Sequence, residues 1–272
     1  MSEGNADPSP VPVDNPLMCG RYTLSSPPED VRAFFSLPGL PELRPRYNIA
    51  PTQIVAVVGL KPDGRTRGLA SLRWGLVPSW ANDPKRPMYN AKAETVHKLP
   101  TFRDSFKSRR CLIPADGFYE WAKEGRRKVA RHFRPKDGGL MAYAGIWDSW
   151  EQDDGRPLVT CAIITCAAVE PVSAVHDRMP LILPPERWDA WLDPAATVAD
   201  LLQLLAPPSP GLVDRRPHPH HVEQAGRWRG QQRQQLGYRR GRVEPGVPPL
   251  GRQDQRHPVV DLADRPTSCA SS

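Results

Sequence analysis

A largely antiparallel α+β domain is the fold class this sequence predicts, on three observations. Strand-like segments follow one another through short turns instead of alternating with long helices. The helical patterns are few and short. All strong periodicity lies within residues 18–206 of the 272, a stretch of roughly 190 residues and enough for one well-packed domain.

Taken in order, Cys19 to Leu24 reads as a short strand. Ser25 and Ser26 then offer a helix cap, Pro27 and Pro28 suit a first turn, and Val31, Phe34 and Phe35 give the helix an apolar face. Residues 54–60 and 66–74, joined by the turn 61–64, read as a hairpin. A short helix is expected at 101–108. Strands are expected at 111–114, 117–121, 129–133, 140–147 and 158–166. Helices follow at 186–192 and at 197–205, the second opened by Thr197. Residues 1–17 are Pro-rich, hold acidic and no basic groups, and are expected to be disordered or absent from the mature protein. From Pro207 both periodicities vanish, and 207–272 is expected to be a disordered Arg/Pro-rich tail. That tail has 11 Arg and no Lys, which points to a shifted reading frame from about Val213. No packed contact is expected beyond Leu212.

Composition excludes several classes. No apolar run reaches the roughly 20 residues that span a bilayer, and the first residues lack the basic and apolar parts of a secretory signal. Five cysteines, odd in number and far apart, suit a reducing cytoplasm better than a disulfide scaffold. The formal net charge is +7, which suits an anionic partner. Cys161 and Cys166 point to opposite faces of one predicted strand, so no zinc site is expected. There is no phosphate loop and no dinucleotide fingerprint.

Several constellations could carry chemistry, and each has an ordinary structural reading beside it. Cys19 follows Met18. If Met18 is the initiator and is removed, Cys19 presents an amine and a thiol two carbons apart, both partly deprotonated near neutral pH. Such a pair closes a five-membered ring on an aldehyde; otherwise Cys19 is a buried strand residue. Asn90 can orient a polar group or cap a turn. Glu120, among aromatics, is a proton shuttle if burial raises its pKa, and an outward strand Glu if not. His176 is an acid–base candidate and Arg178 a phosphate contact, or both are plain loop residues. Trp74 and Trp80 near Arg73 suit base stacking or core packing equally.

In sequence, MCGRY (18–22), RYNIAP (46–51), RWGLVPSW (73–80), YNAKAET (89–95), RCLIPADGFYEW (110–121), AYAGIW (142–147) and VHDRMP (175–180) closely resemble the SOS response-associated peptidase family, the abasic-site processing proteins. The resemblance covers 18–206 almost continuously. It implies an α+β fold with a curved, barrel-like, mostly antiparallel sheet flanked by short helices, and a basic cleft for single-stranded DNA. It implies an enzyme of the DNA damage response, a peptidase or hydrolase by family label with lyase-like chemistry, whose N-terminal Cys forms a thiazolidine crosslink with the aldehyde of an abasic site. Exposure of that Cys by autoproteolysis belongs to the same picture.

Matched motif by motif, Cys19 is the implied nucleophile, Asn90 the residue that orients the sugar, Glu120 the acid–base group and His176 the active-site His. Arg21, Trp74, Lys92, Arg110 and Arg178 are the implied DNA contacts. Lys92 stands where the family usually has Arg, so the charge is kept and the bidentate fork is lost. The family also closes its domain with a short extended segment near 207–213, whose pattern this chain lacks, so an uncovered sheet edge is expected. The expected partner is single-stranded DNA containing abasic sites, met by a monomer in a bacterial cytoplasm, nucleoid-associated when bound, with no membrane, cofactor or metal. Other readings are an amidohydrolase with an N-terminal nucleophile, a peptidase acting on other proteins through Cys19, His176 and Asn90, and a passive reader of modified bases.

Overall fold

The computed structural model describes residues 19–216. In chain order the elements are β1 (Tyr22–Leu24), α1 (Pro28–Phe35), β2 (Arg46–Ile49), β3 (Ile54–Leu60), β4 (Arg67–Trp74), β5 (Asn90–Lys92), α2 (Arg103–Ser108), β6 (Arg110–Ala115), β7 (Gly117–Glu124), β8 (Arg127–Pro135), β9 (Met141–Glu151), β10 (Pro157–Ala167), β11 (Arg178–Pro180), α3 (Trp188–Leu192), α4 (Val198–Gln203) and β12 (Val213–Arg216).

β10, β4, β3, β6 and β9 close into a ring, because β9 pairs back onto β10 from Glu151 opposite Pro157 to Gly145 opposite Ile163. Closure leaves these strands no free edges. The whole of β6 and the run Thr160–Cys166 of β10 are buried without alternation, as expected of strands covered on both faces. β10 runs parallel to β4 and β5, and the other pairings are antiparallel. The second sheet, in the order β12-β8-β7-β1-β2, is antiparallel throughout. The α+β class with a curved, mostly antiparallel sheet and short helices is therefore the observed one. Among the described residues no helix is long and apolar enough to cross a membrane.

Helix α1 buries Val31 and Phe35, one turn apart, and Phe35 stacks on Trp188 with ring centroids 4.9 Å apart. Thr197 opens α4 through a reciprocal pair with Asp200, each side chain accepting from the other's backbone N–H. The cap expected for α1 is corrected. Pro27 holds the cap position, and Ser25 and Ser26 instead give their N–H and hydroxyl groups to Asp116, at 2.6–3.0 Å. Asp116 also accepts from Thr23 Oγ1 at 2.5 Å. Burial alone would raise the Asp116 pKa, and these bonds outweigh it and hold the carboxyl below its usual range. A Cβ on Gly117 would meet His132 Nε2 at 2.3 Å and Thr23 Oγ1 at 2.9 Å, so only glycine fits between β1 and β8 here.

The domain end at 206 is also corrected. Val213–Arg216 pairs antiparallel with β8, with Val213 opposite Pro135 and fully buried. The edge of the second sheet is thus covered. Strand pairing engages the backbone, so a segment with one apolar residue suffices if that residue faces inward. The expectations for 1–18 and for 217–272 lie outside the described residues.

Candidate active site

β1 runs antiparallel to β7, with Tyr22 opposite Phe118 and Thr23 opposite Gly117. Further along, the Tyr119 N–H donates to the Arg21 carbonyl at 2.9 Å. Continuing that register brings Gly20 level with Glu120 and sets the Cys19 turn beside it. Cys19 takes a left-handed backbone conformation, φ 47°, which costs a non-glycine residue about 1–3 kcal/mol. Its thiol and its backbone N–H both act on the Glu120 carboxyl and favour the ionised form.

Both residues are buried, Cys19 3% and Glu120 1% exposed. Among the described residues Glu120 Oε1 has no hydrogen-bond partner. Burial pushes the Glu120 carboxyl up to about 7, against the opposing pull of the Cys19 thiol and N–H, and the charge of Asp177 adds to the rise. Burial also pushes the Cys19 thiol well above its ordinary range; Glu120 adds to this and Arg178 opposes it. A carboxyl that titrates near 7 beside a thiol and a nitrogen can take and return protons at neutral pH.

β10 brings the other side of the site. Met179 lies opposite Cys166 and Arg178 opposite Ala167, and Cys166 and Arg178 both act electrostatically on Cys19. The Arg178 guanidinium is a bidentate partner of Glu94, Nη1 to Oε1 at 2.6 Å and Nη2 to Oε2 at 2.9 Å. Nη2 also donates to the Thr165 carbonyl at 2.6 Å. The fork expected to hold a phosphate is filled by a carboxylate, and what Arg178 offers the site is its charge. Asn90 opens β5 opposite Ile163, and Lys92, exposed, lies opposite Thr165. His176 Nδ1 accepts from the Arg178 N–H at 3.0 Å and lies 3.1 Å from Asp177 Oδ1. Among the described residues no hydrogen bond joins His176 to Cys19 or Glu120, which weighs against a Cys–His peptidase pair.

Three expected DNA contacts are relocated. Arg110 is buried, its guanidinium donating to the carbonyls of Phe106 and Lys107 at the end of α2 and of Trp191 and Asp193 at the end of α3. It ties two helix C-termini together, where carbonyls lack partners. Trp74 is buried, donates its indole N–H to the Tyr89 carbonyl at 2.8 Å and meets Tyr22 edge-on. It supports the strand that carries Asn90 and is closed to a base; Trp80 of the same motif is 58% exposed. Arg21 is largely buried and turns back onto the Gly20 carbonyl at 2.7 Å. Sequence reasoning missed Glu94, Cys166 and Asp177. Glu94 stands inside the motif that carries Asn90, so an acid there could have been paired with a nearby Arg, and Asp177 stands between His176 and Arg178 in VHDRMP; nothing local marks Cys166.

A cavity of about 330 Å³ is lined by Lys61, Ser79, Arg109, Trp147 and Asp148 among others, and by neither Cys19 nor Glu120. Among the described residues no three His, Cys, Asp or Glu side chains are grouped to hold a metal ion.

Residues 18–224 match the family profile described as SOS response associated peptidase (SRAP). The chain belongs to the SRAP family. Abasic site processing protein YoqW of Bacillus subtilis (strain 168) is 43% identical over 198 residues, 70% of this chain and 87% of that protein. Abasic site processing protein HMCES of Xenopus tropicalis is 30% identical over 236 residues, 70% of each chain. Among solved structures, a Bacteroides thetaiotaomicron protein superposes with a TM-score of 0.65 at 25% identity, over 72% of this chain and 90% of that one. A phage-related protein of Bordetella bronchiseptica gives 0.61 at 31% identity, over 75% and 96%. The SRAP match runs past residue 206, in agreement with the inclusion of β12 in the fold.

Proposed function

We propose that this SRAP chain captures abasic sites in single-stranded DNA by a covalent bond to Cys19. The names of its relatives support the substrate class. One observation in the site supports the chemistry: the register of β1 on β7 sets Cys19 beside the buried Glu120, and the nitrogen and the sulfur of Cys19, the two atoms that must attack, both act on that carboxyl.

The nitrogen becomes an amine once the bond to Met18 is gone, through initiation at Met18 and removal of the methionine, or through cleavage of the preceding segment, autoproteolytic or otherwise. That event also releases the left-handed turn at Cys19 from its constraint. The amine adds to the C1′ aldehyde and water leaves, giving an imine. The thiol then adds across the C=N bond and closes a thiazolidine, so one water is lost overall. Glu120, poised between its two protonation states at neutral pH, takes the proton of the attacking amine and returns one to the leaving water. Asn90 orients the sugar, and Lys92 and Trp80 meet the flanking strand. His176, held beside Arg178, acts in reopening the ring.

Intact mass after incubation with an abasic single strand tests this. The expected product is protein beginning at Cys19 plus oligonucleotide minus one water, absent with undamaged DNA. Cys19→Ala forms none, and Cys19→Ser leaves at most an imine trapped by borohydride. Equally fast crosslinking by protein that retains Met1 overturns the proposal, as does a stable crosslink in Cys19→Ala.

A further inference from the structure

The hairpin of β7 and β8 carries a run of charge that the chemistry at Cys19 does not use. Lys123, Arg126, Arg127, Lys128 and Arg131 stand there against a single acid, Glu124. Residues 123–128 are all exposed. Strand alternation sorts these charges by face. Arg131 lies opposite Glu120, and Arg127 opposite Glu124, so both arginines share the face of Glu120. Lys123 and Lys128, opposite each other, lie on the reverse face with Tyr119 and His132. Directly opposed residues have Cβ atoms about 5 Å apart, so Arg131 springs from beside the carboxyl that meets Cys19. Arg127 is level with Glu124, four residues further along β7, or about 13 Å.

Arg131 is only partly engaged. Its Nη2 pairs with Glu124, which is half exposed. Its Nε is buried and has no hydrogen-bond partner among the described residues. A guanidinium presents its N–H groups as a planar fork that fits a phosphate by two parallel bonds. A buried donor without a protein partner next to the site is a group that a ligand oxygen can satisfy. Two arginines spaced along one face, each opposite a glutamate of β7, suit a chain of anions better than a single one. A single strand whose nucleotide reaches Glu120 and Cys19 has to run past them.

We propose that the β7–β8 hairpin is a phosphate-binding arm: Arg131 and Arg127 hold the backbone of the single strand beside the nucleotide that enters the site, and Glu124 occupies Arg131 until the strand displaces it. This deepens the reading of Cys19 and Glu120 as an abasic-site pocket and rests on it.

Fluorescence anisotropy with single strands that carry a tetrahydrofuran abasic analogue separates binding from chemistry, since the analogue has no aldehyde. Each phosphate contact on a single strand contributes about 0.7 to the slope of log K against log salt. Replacing both arginines (Arg127→Ala, Arg131→Ala) is therefore expected to reduce the slope by about 1.4, so that a fourfold rise in salt costs wild type about sevenfold more affinity than the double variant. Arg127→Ala alone, at an exposed position where folding is not at stake, is expected to give about half that change in slope. Glu124→Gln is expected to tighten binding, because it removes the competing carboxylate; a purely structural ion pair would not do so. An unchanged slope in the folded double variant overturns the arm, and so does weaker or equal binding by Glu124→Gln. If those results come from protein that still crosslinks natural abasic strands, the arm alone falls. Wild-type protein that binds no single strand overturns both readings.

Discussion

Replacing Glu120 by Gln removes one ionisable group from the site and keeps its shape. The carboxyl titrates near 7 instead of 4.5 because it is buried, with Cys19 pulling it down and Asp177 pushing it up. That displacement corresponds to about 3 kcal/mol against the ionised form in the fold. The folded value lies above the unfolded one, so the protonated group helps the native state fully below about pH 4.5, and the help is lost as pH rises through 7. The Glu120→Gln protein lacks this dependence. Its stability relative to wild type is expected to rise between pH 5 and pH 8 by up to about 3 kcal/mol, or about 6–12 °C in Tm for a domain of this size. Thermal melts of both proteins at the two pH values read this directly. Crosslinking by the variant is expected to slow by about 10²–10⁴-fold and to lose an inflection near pH 7 that wild type shows. A Tm difference that is the same at both pH values refutes the burial argument, and an unchanged rate removes Glu120 from the mechanism.

Asp116→Ala frees Thr23, Ser25 and Ser26 at once and is expected to cost about 3 kcal/mol by denaturant titration. Asp116→Asn tests the sign of its lowered pKa: wild type loses the stabilisation as pH falls below about 4, and the variant does not. Arg110→Met is expected to lower stability by about 2 kcal/mol, because it leaves the carbonyls at the ends of α2 and α3 without a donor. Its affinity for a single strand, read by anisotropy, should be unchanged; a weaker affinity at equal folding would return Arg110 to the DNA contacts. Truncation after Leu212 removes β12 and the buried Val213. It is expected to cost about 2 kcal/mol, and an unchanged melting temperature would show that the segment contributes nothing to the fold.

The longer elements were legible because their signal is local. β3, β4, β6, β9 and β10 each carry their own apolar run, and Thr197 stands directly before the helix it caps. The strands missed, β2, β5, β11 and β12, have three or four residues each. Such segments are strands because a partner offers an edge, β10 for β5 and β11, β8 for β12 and β1 for β2, which no window of sequence can show. The cap failed for the same reason: Asp116, the acceptor that takes Ser25 and Ser26, is 90 or more residues away along the chain.

By itself the sequence determined the family and the inventory of reactive groups, since the ordered motifs from MCGRY to VHDRMP are written in the chain. It left open whether Glu120 faces inward or outward, because Tyr119 and Trp121 beside it stand on the opposite face of β7. Only the tertiary structure decided which charges are spent and which are available. Arg110 and Trp74 face inward, Arg178 closes on Glu94, and Arg131 shares a face with Glu120. These outcomes depend on cross-strand register and on burial, and both are set by residues far apart in the chain: a shift of one residue in the pairing of β7 with β8 would turn Arg131 to the opposite face.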